Sequence, residues 1–149
     1  MERFKIGAEP NFIEFGLDII HGFPNETDVD GGYTVEGSVS IQSGRYGVHK
    51  AAVWFTTGQV YQLYHQLKDA FQQLKGIIVF SNRGEDIYFE LEFTRLGQIH
   101  VNGYFQEYPS IENRLQFEFH LDQSYIPPVL NELKKIVDVY GGMRGIKDK

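Results

Sequence analysis

The chain contains no cysteine. That removes disulfides, thiolate nucleophiles and cysteine-ligated zinc together, and it fits a reducing compartment. Apolar runs long enough to span a bilayer are also missing. The opening MERFKIGAEPNF has no apolar stretch of signal-peptide length. The expectation is a soluble, cytoplasmic protein with no membrane partner. Basic residues are the scarcer charge, 14 Lys and Arg against 20 Asp and Glu, giving a net charge of −6. A phosphate backbone needs the opposite balance, so direct nucleic-acid binding is not expected. Phosphate loops, the dinucleotide glycine fingerprint and the G-x-S-x-G elbow of serine hydrolases do not occur.

What is present can bury a core. The chain has 149 residues, 42% hydrophobic and 15% aromatic, which suits one folded domain. The acids are unevenly placed. Residues 1–32 and 86–122 each hold seven acids and two bases, whereas 33–85 and 123–149 each hold three acids and five bases. Such a field serves solubility, and it also favours encounter with a basic protein.

Strand periodicity begins at Ile13, Phe15, Leu17 and Ile19. The loop GFPNETDVDGG (22–32) interrupts it, and Tyr33, Val35, Val39 and Ile41 resume it. Ser43-Gly44 reads as a hairpin turn into a strand ending at Phe55. Thr56-Thr57 is a hydroxyl entry to a helix whose apolar stripe is Val60, Leu63, Tyr64, Leu67, Ala70, Phe71 and Leu74, with Gly76 as its stop. A short strand at 77–80 precedes three longer ones near 86–94, 98–106 and 113–121. Asp122 or Ser124 then caps a second helix, with Pro127 and Pro128 in its first turn and Gly141-Gly142 at its end. The expected fold is α+β: a two-layer domain over residues 1–142, with a largely antiparallel sheet of about six strands and two amphipathic helices on one face. Residues 143–149 read as a flexible tail.

In that arrangement the second half of the sheet keeps one face in water. It carries Tyr88, Glu90, Glu92, Gln98, His100, Asn102, Tyr104, Arg114, Gln116, Glu118 and His120. His100, His120, Glu90, Glu92 and Glu118 could place two imidazoles and a carboxylate within metal-ligand reach, or they could be a solvated or partner-facing surface. His21, His49 and His65 have no ligand spacing. Asp28-Val29-Asp30-Gly31-Gly32 resembles the start of a calcium loop, but Val39 stands where the closing glutamate belongs, so it reads as an acidic surface turn. Phe23 is either a packing anchor or an exposed contact. Tyr88, Tyr104 and Tyr108 offer contact area at low entropic cost, and tyrosine is also ordinary strand filler.

The order FIEFGLDIIHGFPNETDVDGGYTVEGSVSI, VWFTTGQV, GQIHVNGYF, RLQFEFHLDQSYI and LNELKKIVDVYG is similar to the WapI family of bacterial immunity proteins over nearly the whole chain. The L-x-F-x-F-x-x-D-Q-S/T-Y segment is its most specific part. The resemblance implies a non-enzymatic protein that shields its bacterial producer from a cognate toxin domain, often a nuclease, by stoichiometric occlusion. It implies no cofactor. A basic toxin domain would be the partner of a monomer or weak homodimer, with Tyr88, Glu90, Glu92, His100, Tyr104, Glu118, His120, Asp28 and Asp30 as candidate contacts. Charge reversal at Glu90, Glu92 and Glu118 should then slow association at low salt. The alternative is a small metal-dependent enzyme or ligand-binding module around His100 and His120.

Overall fold

The computed structural model describes residues 2–148. Met1 and Lys149, the first residue of the expected domain and the last of the expected tail, lie outside the described residues. The described residues form eight strands and two α-helices: β1 (Glu2–Ala8), β2 (Asn11–His21), β3 (Thr34–Ser43), β4 (Tyr46–Thr56), α1 (Thr57–Gln73), β5 (Gly76–Ser81), β6 (Ile87–Phe93), β7 (Gln98–Gln106), β8 (Arg114–Asp122) and α2 (Ile126–Tyr140). Strands β1–β4 make one antiparallel sheet and β5–β8 a second, each in chain order.

The α+β class holds, but a single sheet of about six strands does not. Strand β1 was not expected, because only Phe4 and Ile6 alternate with its charged neighbours Arg3 and Lys5, too brief a pattern to separate from a loop. The layering also differs. The apolar face of the first sheet packs mainly on the apolar face of the second. The Phe15 ring lies 5.3 Å from Phe80 and 6.1 Å from Phe89, and Phe55 lies 6.4 Å from Phe80. Period-2 alternation states that one face is buried and leaves open whether helices or another sheet bury it.

The helices fill the flank beside β1 and β5. They pack on each other, α1 also on β5 and α2 also on β1. Their buried stripes, Val60, Leu63, Leu67 and Ala70 on α1 and Ile126, Val129, Leu133, Ile136 and Tyr140 on α2, join the core between the sheets. Each helix also lends a side chain to a strand edge. The Lys5 backbone N–H donates to Glu132 at 3.0 Å, and the Val79 N–H donates to Gln66 at 3.4 Å. Edge strands otherwise present unpaired backbone to other chains.

Local chemistry sets the helix ends. Thr56 caps α1 in a capping box: Gln59 N–H donates to its hydroxyl at 3.0 Å, and Thr56 N–H donates to the Gln59 side chain at 2.9 Å. The C-terminal stop is Leu74, left-handed at φ +55°, and not Gly76, which opens β5. Asp122 accepts the Ser124 N–H at 2.9 Å and starts a 3₁₀ turn, Gln123–Tyr125, that runs into α2. After α2 the chain stays beside Tyr33. Gly32 N–H donates to the Met143 carbonyl at 2.8 Å, and Ile146 N–H donates to the Tyr33 hydroxyl at 3.0 Å.

One irregularity changes which side chains face outward. Leu17 pairs with Gly37, but Ile19 pairs with Glu36, so Asp18 is an extra residue in β2. The bulge reverses the alternation beyond it. Ile13, Phe15 and Leu17 are buried, as their spacing predicts, whereas Ile19 is 48% exposed on the outer face.

Candidate partner-binding face

Antiparallel register turns the outer parity of β6, β7 and β8 into three cross-strand rows. Tyr88, Tyr104 and Gln116 form the first, Glu90, Asn102 and Glu118 the second, and Glu92, His100 and His120 the third. Strand β5 extends the rows with Ser81, Val79 and Ile77. Each row contains a pair in contact. Tyr88 stacks on Tyr104 with centroids 5.8 Å apart, and His100 stacks on His120 at 4.9 Å. The Arg114 guanidinium lies 4.2 Å above the Tyr104 ring. Val79 and Ile77, 42% and 59% exposed, give the acidic rows an aliphatic border.

Two of the three carboxylates, Glu90 and Glu118, are held by neighbours. The Tyr88 hydroxyl donates to Glu90 at 2.7 Å and the Asn102 amide donates to it at 3.2 Å. These two donors, Tyr88 first, lower the Glu90 pKa, and the same bond is the main cause of the raised Tyr88 pKa. His100 Nε2 meets Glu118 at 2.6 Å. The face therefore presents glutamates beside stacked tyrosine and histidine rings. Its charged complement is Glu90, Glu92 and Glu118 against Arg114. An acidic surface of this kind is complementary in charge to a basic one.

Residues 4–141 match the family described as Immunity protein WapI-like. The chain belongs to this family. No curated protein and no solved structure gives a match.

For this WapI-like chain the structure gathers seven of the expected contact residues, Tyr88, Glu90, Glu92, His100, Tyr104, Glu118 and His120, on one face. Asp28 and Asp30 lie elsewhere, in the loop before β3. Arg83, from the β5–β6 turn, donates to Asp28 at 2.8 Å and to Asp30 at 2.9 Å. Asp28 also accepts the Asp30 N–H at 2.8 Å and the Thr34 hydroxyl at 2.7 Å. The Asp30 N–H and then the Thr34 hydroxyl are the largest causes of its lowered pKa. Among the described residues no group of three His, Asp or Glu side chains is placed to hold a metal ion. No helix among them is long and apolar enough to cross a membrane.

The sequence reading missed Ile77 and Val79, whose strand was visible but whose pairing with Glu92 and Glu90 was not. It also missed Trp54, which is 52% exposed. Phe23, left open between packing and contact, is seen to pack. It packs edge-on against Tyr33 at 5.1 Å and Tyr140 at 5.3 Å while remaining 44% exposed.

Proposed function

We propose that this protein is a non-enzymatic immunity protein that binds a cognate bacterial toxin domain one to one, in the cytoplasm of the cell that makes it, as a monomer or weak homodimer. Binding through the outer face of the second sheet would cover the toxin's active site or substrate surface. The observation that carries this reading is the placing of Glu90 and Glu118, each bonded to a neighbour, beside stacked tyrosines and histidines on that face, within a chain of net charge −6. Acidic side chains whose positions are already set lose little entropy on docking and steer a basic partner by long-range attraction. A nuclease domain, whose own surface must attract phosphate, is the partner class this field suits best.

The test is calorimetric titration of the protein into the toxin domain encoded by the neighbouring upstream gene, with the toxin's activity followed in parallel. One-to-one binding with loss of toxicity is the expected result. A folded, active toxin domain that neither binds nor loses activity would sink the reading.

A further inference from the structure

A second surface, on the first sheet and away from the glutamate rows, has the makings of an anchor. The Asp18 bulge turns Ile19 outward, and register then aligns Ile19, Glu36 and Trp54 across β2, β3 and β4. Trp54 is the only tryptophan in the chain, and it is 52% exposed. Its position is fixed. The His21 ring stacks on the indole at 5.7 Å and 17°, and His21 Nε2 meets Glu36 at 3.2 Å. The Trp54 carbonyl accepts the Asn82 amide at 2.8 Å, which ties β4 to the β5–β6 turn.

Beside Trp54 opens a cavity of about 310 Å³, lined also by Asp28, Asp30, Arg83 and Asp86. Asp28 and Asp30 already meet Arg83, and Asp86 accepts the Asn82 amide through one oxygen, so three carboxylates against one guanidinium leave the lining negative. The start of α1 also borders the cavity, but it does not offer an anion site. Its capping box takes the Thr56 and Gln59 N–H groups, and the Thr57 N–H donates to the Tyr33 carbonyl at 2.9 Å, so three of its first donors are engaged.

We propose that this pocket seats an arginine side chain of a basic protein partner, the guanidinium lying against the Trp54 indole and beside Asp86. An indole face and a neighbouring carboxylate are the two groups that favour a planar cation. The exposed Ile19 and Trp54 around Glu36 add the apolar area that a protein partner, and not a free cation, would cover. Buried aromatic anchors of this kind carry much of an interface's binding energy. That the partner is a toxin domain rests on the function proposed above; the cation selectivity of the pocket does not.

Trp54 reports on its own pocket, because no other indole contributes to the emission. The first measurement titrates the peptide acetyl-Gly-Arg-Gly-amide into the whole protein and follows Trp54 fluorescence, with the neutral citrulline peptide as the comparison. A saturable change with arginine, at least about ten-fold weaker with citrulline and weakened in Asp86→Asn, is the expected result. Equal responses to both peptides, or none to arginine, would overturn the assignment without requiring any variant to fold. So would a saturable response to a neutral sugar alone. The second measurement compares the parent with Trp54→Ala against the toxin domain, with thermal melts confirming that the variant is folded. An affinity loss of about ten-fold or more is expected. If the parent binds and the variant binds equally well, the anchor is wrong and the immunity reading stands. If the parent does not bind, the immunity reading falls, and the peptide titration alone decides the pocket.

Discussion

Lys5 and Glu132, 127 residues apart, are joined by a 3.0 Å hydrogen bond from a backbone N–H to a side-chain oxygen. Through it α2 closes the free edge of β1. Glu132→Ala removes the acceptor and leaves a half-buried N–H with poorer access to water. It should cost about 1–2 kcal/mol. Lys134→Ala, on the exposed side of the same helix, breaks the Lys134–Asp138 ion pair at 2.9 Å and should cost under about 0.5 kcal/mol. Urea unfolding of the two variants checks the contrast. Equal losses would mean that the edge bond contributes no more than a surface pair.

Gly103 sits under the tyrosine row, opposite Phe89 and Phe117 in the second sheet. A Cβ there would stand 2.1 Å from the Tyr88 carbonyl oxygen and 2.7 Å from the Phe89 Cα. Both are backbone atoms, so no side-chain rotation relieves the clash. Gly103→Ala should therefore destabilise the fold by about 2–3 kcal/mol. It should also alter the near-ultraviolet circular dichroism of the tyrosines, because Tyr88 and Tyr104 are carried on the displaced strands. A variant as stable as the parent would show that β6 and β7 separate freely.

How far this face could be read in advance follows from the same strands. Leu115, Phe117, Phe119 and Leu121 alternate with polar residues, so the side on which Glu118 and His120 lie was legible. Which residue stands beside which was not, because register depends on turn geometry that no alternation encodes. The pairings His100–His120 and Tyr88–Tyr104 appear only in the folded sheet. The first sheet was harder. Asp18 is an ordinary residue for a strand's wet face, and nothing in FIEFGLDII marks it as a bulge, so Ile19 reads as core. In AAVWF every residue is apolar, and the outward parity of Trp54 is hidden. Helix and strand existence came from periodicity; the opposition of two sheets came from packing, which periodicity does not describe.

Loop 22–32 should respond to acid. The Asp30 N–H and the Thr34 hydroxyl, with Arg83 beside them, hold the Asp28 carboxyl below its ordinary value of 3.8. A carboxyl with a depressed folded-state pKa adds stability that is fully present above the ordinary value and is lost as pH falls through the folded value. The parent should therefore lose stability steeply below the ordinary carboxylate range. Asp28→Asn should be less stable at neutral pH and show a shallower loss across that acid window. Urea midpoints taken from neutral pH downward test this. Parallel pH profiles for the two proteins would mean that Asp28 is no better held in the folded chain than in the unfolded one.

Charge reversal on the second sheet gives the sharpest separation of binding from folding, and the structure decides where to make it. Glu90 accepts from both Tyr88 and Asn102, so a lysine there would disturb the tyrosine row as well as the field. Glu92 and Glu118 are more exposed and lie beside His100. A Glu92→Lys/Glu118→Lys variant shifts the net charge by four units while retaining the tyrosine row. Its folding stability should stay within about 1 kcal/mol of the parent, as exposed pairs contribute little. Its association with the toxin domain should slow by about ten-fold or more at low salt. The difference should shrink at high salt, since the screening length falls from about 10 Å at 0.1 M to about 3 Å at 1 M. Stopped-flow association at several salt concentrations measures both effects. A variant that associates as fast as the parent at low salt would place the contact away from the glutamate rows. The Trp54 surface would then be the place to look for the whole of the interface.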